Sequence, residues 1–166
     1  MTSPAALVHD VIYHIYNRGV NRENIFVEER NYTHFLNLYA KYIEPLADTY
    51  AYCLLRNHFH VLVRIKYEEE IQHPFGRVPV IQSEQLYRVV MYIHQNPQKH
   101  KFVEDFREWK YSSYGTLLSI TPTCLHREQV MDWFNDRGEF ESLHMDWISE
   151  SESAGFAADD VDWVSS

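Results

Sequence analysis

Residues 50–66 read YAYCLLRNHFHVLVRIK, two apolar runs that meet at Asn57. Both runs are rich in β-branched and aromatic residues, which suits a pleated sheet. One intervening residue is too short for a regular hairpin, so a strand end, from 50–56 or from 58–66, must join the turn. On a strand, residues two apart share a face. His58 and His60 therefore project together, with Leu62 continuing their side, while Phe59, Val61 and Val63 face the other way.

Upstream, VIYHIYN at 11–17 alternates in the same manner. Val11, Tyr13, Ile15 and Asn17 fall on one side, and Ile12, His14 and Tyr16 on the other. The polar RGVNREN that follows, with Gly19, reads as a turn. From Glu28 to Ile43, Tyr32, Phe35, Leu36, Leu38, Tyr39, Tyr42 and Ile43 recur at helical spacing, and Pro45 closes the helix. Downstream, RVPVI at 77–81 is a short strand that Pro79 confines to an edge or bulge. Ser83-Glu84 opens a second helix, whose apolar side is Leu86, Tyr87, Val89, Val90 and Ile93; Pro97 is expected to stop it. Residues 106–119 form a mixed aromatic segment without a clear period. Thr123 to Phe134 reads as a short helix built on Val130, Met131, Trp133 and Phe134.

This order predicts an α+β fold: a ferredoxin-like (RRM-like) antiparallel sheet with helices on one face, plus a C-terminal helix that carries Tyr92. Only about ten residues separate the strand ending near Lys66 from the one starting near Arg77, short for a crossover with its own helix. The second crossover helix is therefore expected to be shortened or lost. Its loss should bare apolar sheet surface for a dimer partner, a swapped element or an open cleft. We expect one catalytic domain at 1–144 and an acidic, mobile tail at 145–166.

The 166 residues, 45% apolar and 15% aromatic, suffice for one core and not for two ordinary domains. A charged fraction of 23% excludes a fully disordered chain. No apolar run approaches the roughly 20 residues that span a bilayer. Met1 to Ala6 hold no basic segment leading into an apolar one, so a cytoplasmic protein without membrane contact is expected. Cys53 and Cys124 fit no zinc spacing, and Cys53 should pack as a small hydrophobe. The net charge is −9, from 15 bases and 24 acids. Six of those acids lie in 145–166, which has no Lys or Arg. Such a balance argues against strong nonspecific DNA affinity but leaves room for a basic groove on an acidic body.

Two features carry chemistry. His58 and His60 can act as paired ligands to one divalent metal; equally, they suit two half-exposed histidines on a sheet surface. Tyr92 and Asn96, four apart, lie one above the other on a helix. A phenol, with a pKa of about 10, is a poor nucleophile at neutral pH. Beside a metal that polarises a phosphate it can attack phosphorus and form a covalent intermediate. The plainer assignment is a core aromatic and an amide near the helix end.

Four blocks occur in order: Tyr13-His14-Ile15-Tyr16-Asn17-Arg18-Gly19, Cys53-Leu54-Leu55-Arg56-Asn57-His58-Phe59-His60-Val61-Leu62-Val63, Tyr92-Ile93-His94-Gln95-Asn96-Pro97 and Trp109-Lys110-Tyr111-Ser112-Ser113-Tyr114. Together they resemble the single-tyrosine HUH transposases of insertion sequences, above all the REP-associated tyrosine transposases, over about residues 8–145. The resemblance implies a single-stranded DNA endonuclease and strand-transferase acting at hairpin-bearing ends through a 5′-phosphotyrosine intermediate. It implies Tyr92 as nucleophile, His58 and His60 as metal ligands around Phe59, Asn96 as the polar residue completing the site, and Mg²⁺ or Mn²⁺ as the metal. The phosphotyrosine keeps the phosphodiester energy, so no nucleotide cofactor is required.

Because that family binds imperfect DNA hairpins, Arg18, Arg22, Arg56, Arg64, Lys66, Arg77, Lys99 and Lys101 are candidate phosphate contacts, Arg18 and Arg22 foremost. Tyr16, Phe59, Tyr111 and Tyr114 are candidates for base stacking. His14 and His73 rank second; His9, His34, His126 and His144 receive no role. A homodimer is expected. Relatives carry a helix before the segment that resembles Gln72-His73-Pro74-Phe75-Gly76-Arg77. Here Tyr67-Glu68-Glu69-Glu70 runs almost directly into it, and the glutamates would repel phosphates. Two alternatives follow. One is a hairpin-binding protein on the same scaffold that no longer cleaves; the other is a histidine-dependent nucleotide phosphoesterase in which Tyr92 is dispensable.

Overall fold

Four strands pair as the alternation requires. The computed structural model describes residues 6–67 and 75–154, with side chains to 147. The strands are β1 (Ile12–Arg18), β2 (Ala47–Leu55), β3 (His58–Ile65) and β4 (Gly76–Pro79), and the helices α1 (Glu29–Tyr42), α2 (Ser83–Lys99), α3 (Tyr114–Leu118), α4 (Arg127–Trp133) and α5 (Arg137–Ala154). The sheet order is β2-β3-β1-β4, antiparallel at every pairing. That is the ferredoxin-like arrangement of an α+β fold, with β3 returning beside β1 and β2 on the outer edge. Leu55 pairs with His58, so Arg56 joins Asn57 in a two-residue turn. The connection expected to hold a shortened or lost crossover helix falls on 68–74, outside the described residues.

β2 begins earlier than 50. Asp48 looks like a turn residue, but opposite Arg64 its carboxylate accepts from that guanidinium at 2.8 Å. Lys66 Nζ and His126 Nε2 add contacts of 3.1 and 3.0 Å. A register shift between Thr49 and Ala51 then turns the strand over. Ala47 and Thr49 sit opposite Ile65 and Val63, whereas Ala51, Cys53 and Leu55 sit opposite Leu62, His60 and His58.

The two faces are covered differently. α1 lies on the side of Tyr13, Val61 and Val63, where Tyr39 and Ile43 pack. Its start is fixed by reciprocal bonds: the Glu28 side chain accepts from the Asn31 backbone, and the Glu28 backbone donates to Asn31 Oδ1 at 2.8 Å. Beside α1 an apolar cavity of ≈ 360 Å³ is lined by Ile15, Phe59, Val63, Tyr42, Tyr67 and Phe75, among others. Tyr67 and Phe75, which line this cavity, flank residues 68–74.

α2 takes the opposite face. Val89, Val90 and Ile93 pack on Cys53, Leu55 and Leu62, with Phe106, Phe134 and Phe140 behind them. Pro97 does not stop this helix, which runs on to Lys99. The proline removes one donor in the last turn, its ring is buried, and His100 N closes the turn on Asn96 O at 2.9 Å. The Trp109–Tyr114 block borders β2: Ser112 bridges Cys53, and Trp109 Nε1 donates to Leu54 O at 2.9 Å. The acidic segment from 145 continues α5 as far as Ala154; residues 155–166 lie outside the described ones.

Candidate active site

β1, β3 and α2 bring Tyr92, Asn96, His14, His58 and His60 to one end of the sheet. His58 and His60 are on the α2 face, as the alternation predicts, but both are buried rather than half-exposed. Their ring centroids lie 5.1 Å apart with planes at 89°. Tyr92 meets His60 edge-on at 5.6 Å and His14 at 5.9 Å. Asn96, one helical turn on, is fully buried, and its Nδ2 donates to Tyr92 O at 2.8 Å. The bond leaves Asn96 Oδ1 directed elsewhere.

Four buried atoms here have no hydrogen-bond partner among the described residues: His58 Nε2, His60 Nε2, Asn96 Oδ1 and His14 Nδ1. Leaving such atoms unpaired costs about 1–3 kcal/mol each, so a ligand that satisfies them is favoured. His58 Nδ1 lies 2.7 Å from Asn57 Oδ1. The amide oxygen only accepts, so Nδ1 carries the proton and Nε2 holds a lone pair. Burial pushes the His58 pKa down to about 3, helped by His100 and Arg18. Asn96 is near enough to oppose that shift, yet no bond of ordinary geometry joins it to His58 Nε2. Burial also holds His60 well below the usual imidazole range. Both rings are neutral at pH 7, as ligating imidazoles must be.

Basic side chains rim this pocket. Lys99 Nζ sits over the Tyr92 ring at 5.1 Å, and His100 meets His58 edge-on at 4.8 Å. The β1–α1 loop is tied to the β2–β3 turn: Gly19 N donates to Asn57 O at 2.8 Å, and Ile25 N and Phe26 N donate to Arg56 O. A Cβ on Gly19 would meet Glu23 O at 2.1 Å, so this close approach requires glycine. Arg18, Arg22 and Arg56 are thereby gathered, exposed, at the histidine end of the sheet.

A solved structure described as a REP-associated tyrosine transposase bound to a REP hairpin matches this one with a TM-score of 0.57. The match covers 74% of this chain and 88% of the other, at 13% identity. The chain has the fold of a REP-associated tyrosine transposase. Its sequence matches no family model and no curated protein. Within the transposase fold, Tyr92 lies on the helix that follows the sheet and reaches across to β3.

Other candidates are dispersed. Lys66 follows the far end of β3, roughly 25 Å from His58 by strand rise, where it bonds Asp48 and donates to Glu44 O at 2.9 Å. Arg64 shares that Asp48 cluster. Arg77 pairs with Ile15, so it faces the α1 side, stacked over Phe75 at 5.3 Å. Phe59 also faces α1, Tyr111 stacks on Tyr32 at 3.9 Å, and Tyr114 is core. Tyr16 alone of those aromatics borders the histidines, 6.2 Å from His60 between centroids. It lies on Gly76, where a Cβ would come within 2.3 Å of its ring. His73 is outside the described residues.

Three further histidines take part in the structure. His100 continues the Tyr92, Asn96 spacing by another four residues. His94, on α2 but facing away from the site, lies 2.9 Å from His144 on α5 and 2.8 Å from Ser113 Oγ. His144 Nδ1 in turn donates to Phe140 O at 2.7 Å. Among the described residues no cluster of three or more His, Cys, Asp or Glu is arranged to hold a metal ion, and no helix is long and apolar enough to cross a membrane.

Proposed function

We propose that this chain is a DNA strand-transferase that cuts single-stranded DNA beside a hairpin through a covalent Tyr92–5′-phosphate intermediate. The observation that supports it is the convergence of Tyr92 with three buried, unpartnered donor atoms, His58 Nε2, His60 Nε2 and Asn96 Oδ1. Two neutral imidazoles and one amide oxygen would hold Mn²⁺ more readily than the harder Mg²⁺, with phosphate and water oxygens filling the remaining positions of either ion. Bound there, the ion would polarise the scissile phosphate and place the leaving oxygen.

The chain's own residues do the rest. The Tyr92 phenol loses its proton as its oxygen forms the new bond to phosphorus; the bond from phosphorus to the 3′ oxygen breaks, and that oxygen leaves as a 3′-OH. Lys99, over the ring, favours the phenolate that develops. A second 3′-OH then reverses the attack and joins strands. Arg18, Arg22 and Arg56 would hold hairpin phosphates near the cut, and Tyr16 offers a flat surface to an unpaired base. The protein would act as a cytoplasmic homodimer, which sedimentation velocity measures directly.

The test is a denaturing gel after incubation with end-labelled hairpin DNA and Mn²⁺. A label that stays with the protein after boiling supports the chemistry. Tight hairpin binding without an adduct would instead leave a binding protein on this scaffold.

A further inference from the structure

His14 Nε2 and His60 Nδ1 lie 3.0 Å apart, both rings buried and stacked with centroids 5.1 Å apart. One nitrogen must donate and the other accept, so the pair has two neutral arrangements. In the first, His60 Nδ1–H donates to His14, and His60 Nε2 presents a lone pair. In the second, His14 Nε2–H donates to His60, and His60 Nε2 carries a hydrogen. Each arrangement leaves one buried N–H and one buried lone pair without a partner, at His60 Nε2 and His14 Nδ1. Hydrogen-bond counting therefore does not choose between them.

The ligand role proposed for His60 does: only the first arrangement leaves its Nε2 a lone pair to offer. His14 Nδ1, deep in the β1–α2 contact, takes the N–H instead. The first arrangement also matches His58, whose Nδ1–H is fixed by Asn57 Oδ1.

We infer that His14 is a positioning residue: it accepts the hydrogen bond from His60 Nδ1–H and so keeps His60 Nε2 as the lone-pair nitrogen of the site. The role deepens the proposed function and rests on it for its purpose, although the tautomer itself is a property of the free protein. Asn57 and His14 then serve as matched anchors, one for each imidazole of the pair.

The test reads the tautomer first. Long-range ¹H–¹⁵N correlation on metal-free protein, with His60 assigned by its loss in His60→Gln, should show the proton on Nδ1. A proton on Nε2 overturns the inference, whether or not a Tyr92 adduct forms. In His14→Phe the proton should move to Nε2, and Mn²⁺ affinity, read by electron paramagnetic resonance, should fall about 10–100-fold. In His14→Gln the amide oxygen offers an acceptor again and should restore both readouts. An unchanged tautomer in His14→Phe, or a loss under twofold in affinity, also overturns it. If wild-type protein binds no Mn²⁺ and forms no adduct while the tautomer follows His14 as stated, the strand-transfer reading falls and the positioning role stands.

Discussion

Tyr92 and His60 meet edge to face, ring centroids 5.6 Å apart and planes at 86°, although one comes from a helix and the other from the central sheet. The contact places the phenol beside the imidazole pair without a covalent or ionic tie. Removing the hydroxyl alone leaves the ring packing intact. Tyr92→Phe should therefore abolish the covalent adduct on a denaturing gel while hairpin affinity stays within about twofold, since no hairpin phosphate contact is assigned to the hydroxyl. Lost affinity would give Tyr92 a packing role instead.

The basic rim and the distant basic pair should separate in a salt titration. Arg18→Gln and Arg56→Gln should each weaken hairpin binding and lower the slope of log affinity against log salt by about 0.7–0.9. Lys66→Gln should leave that slope unchanged, because Lys66 serves Asp48 at the other end of β3. Its cost should appear in urea unfolding, at up to about 1 kcal/mol for a pair this exposed. A slope that responds to Lys66 would move the DNA path.

Burial holds His144 down to about 4, against the bond to Phe140, and holds His94 lower than usual, with His144 adding to the effect. Both are neutral in the native chain, while the unfolded chain takes protons below about pH 6.5. The stability they protect is present above that pH and is lost as pH falls toward 4, at about 1.4 kcal/mol per unit for each histidine. Urea midpoints between pH 7.5 and 5 should fall accordingly, and His144→Phe should flatten the slope. An unchanged slope in that variant would show that His144 is not held neutral.

Gly76→Ala puts a methyl against the Tyr16 ring, within 2.3 Å of its present position. Relief requires the ring to leave β4 or the edge strand to shift, at a cost of about 1–3 kcal/mol. The variant should weaken hairpin binding to the same degree as Tyr16→Ala, and the two together should not add. Full additivity in a double-mutant cycle would uncouple the glycine from the tyrosine.

Much of the site was legible because strand alternation and the helical turn are local rules. His58 and His60 on one face, with Phe59 on the other, followed from period two; Tyr92 and Asn96 on one face followed from an i, i+4 spacing. The four-strand α+β sheet followed from element order. What escaped depends on partners distant in the chain. His14 and His60 are 46 residues apart and meet through strand pairing, and Asp48 became a strand residue because Arg64 and Lys66 neutralise it. The register shift before Ala51 is invisible to simple alternation, since Thr49 and Ala51 read as one face. α5 did leave a trace: Phe140, Leu143, His144 and Trp147 keep helical spacing, masked by the acids between them. His100 left one too, in the continued spacing from Tyr92 through Asn96.

The two-residue turn at Arg56-Asn57 acts as a ruler for the whole site. It sets which residue of β3 comes first, and with a repeat of two that choice sends every side chain of the strand to one side or the other. One inserted residue, absorbed by slippage of β3, would turn the imidazoles toward α1 and bring Phe59 and Val61 beneath Tyr92. Composition, hydropathy and strand propensity would hardly change. The length of this connection therefore matters as much as the identity of the histidines that follow it.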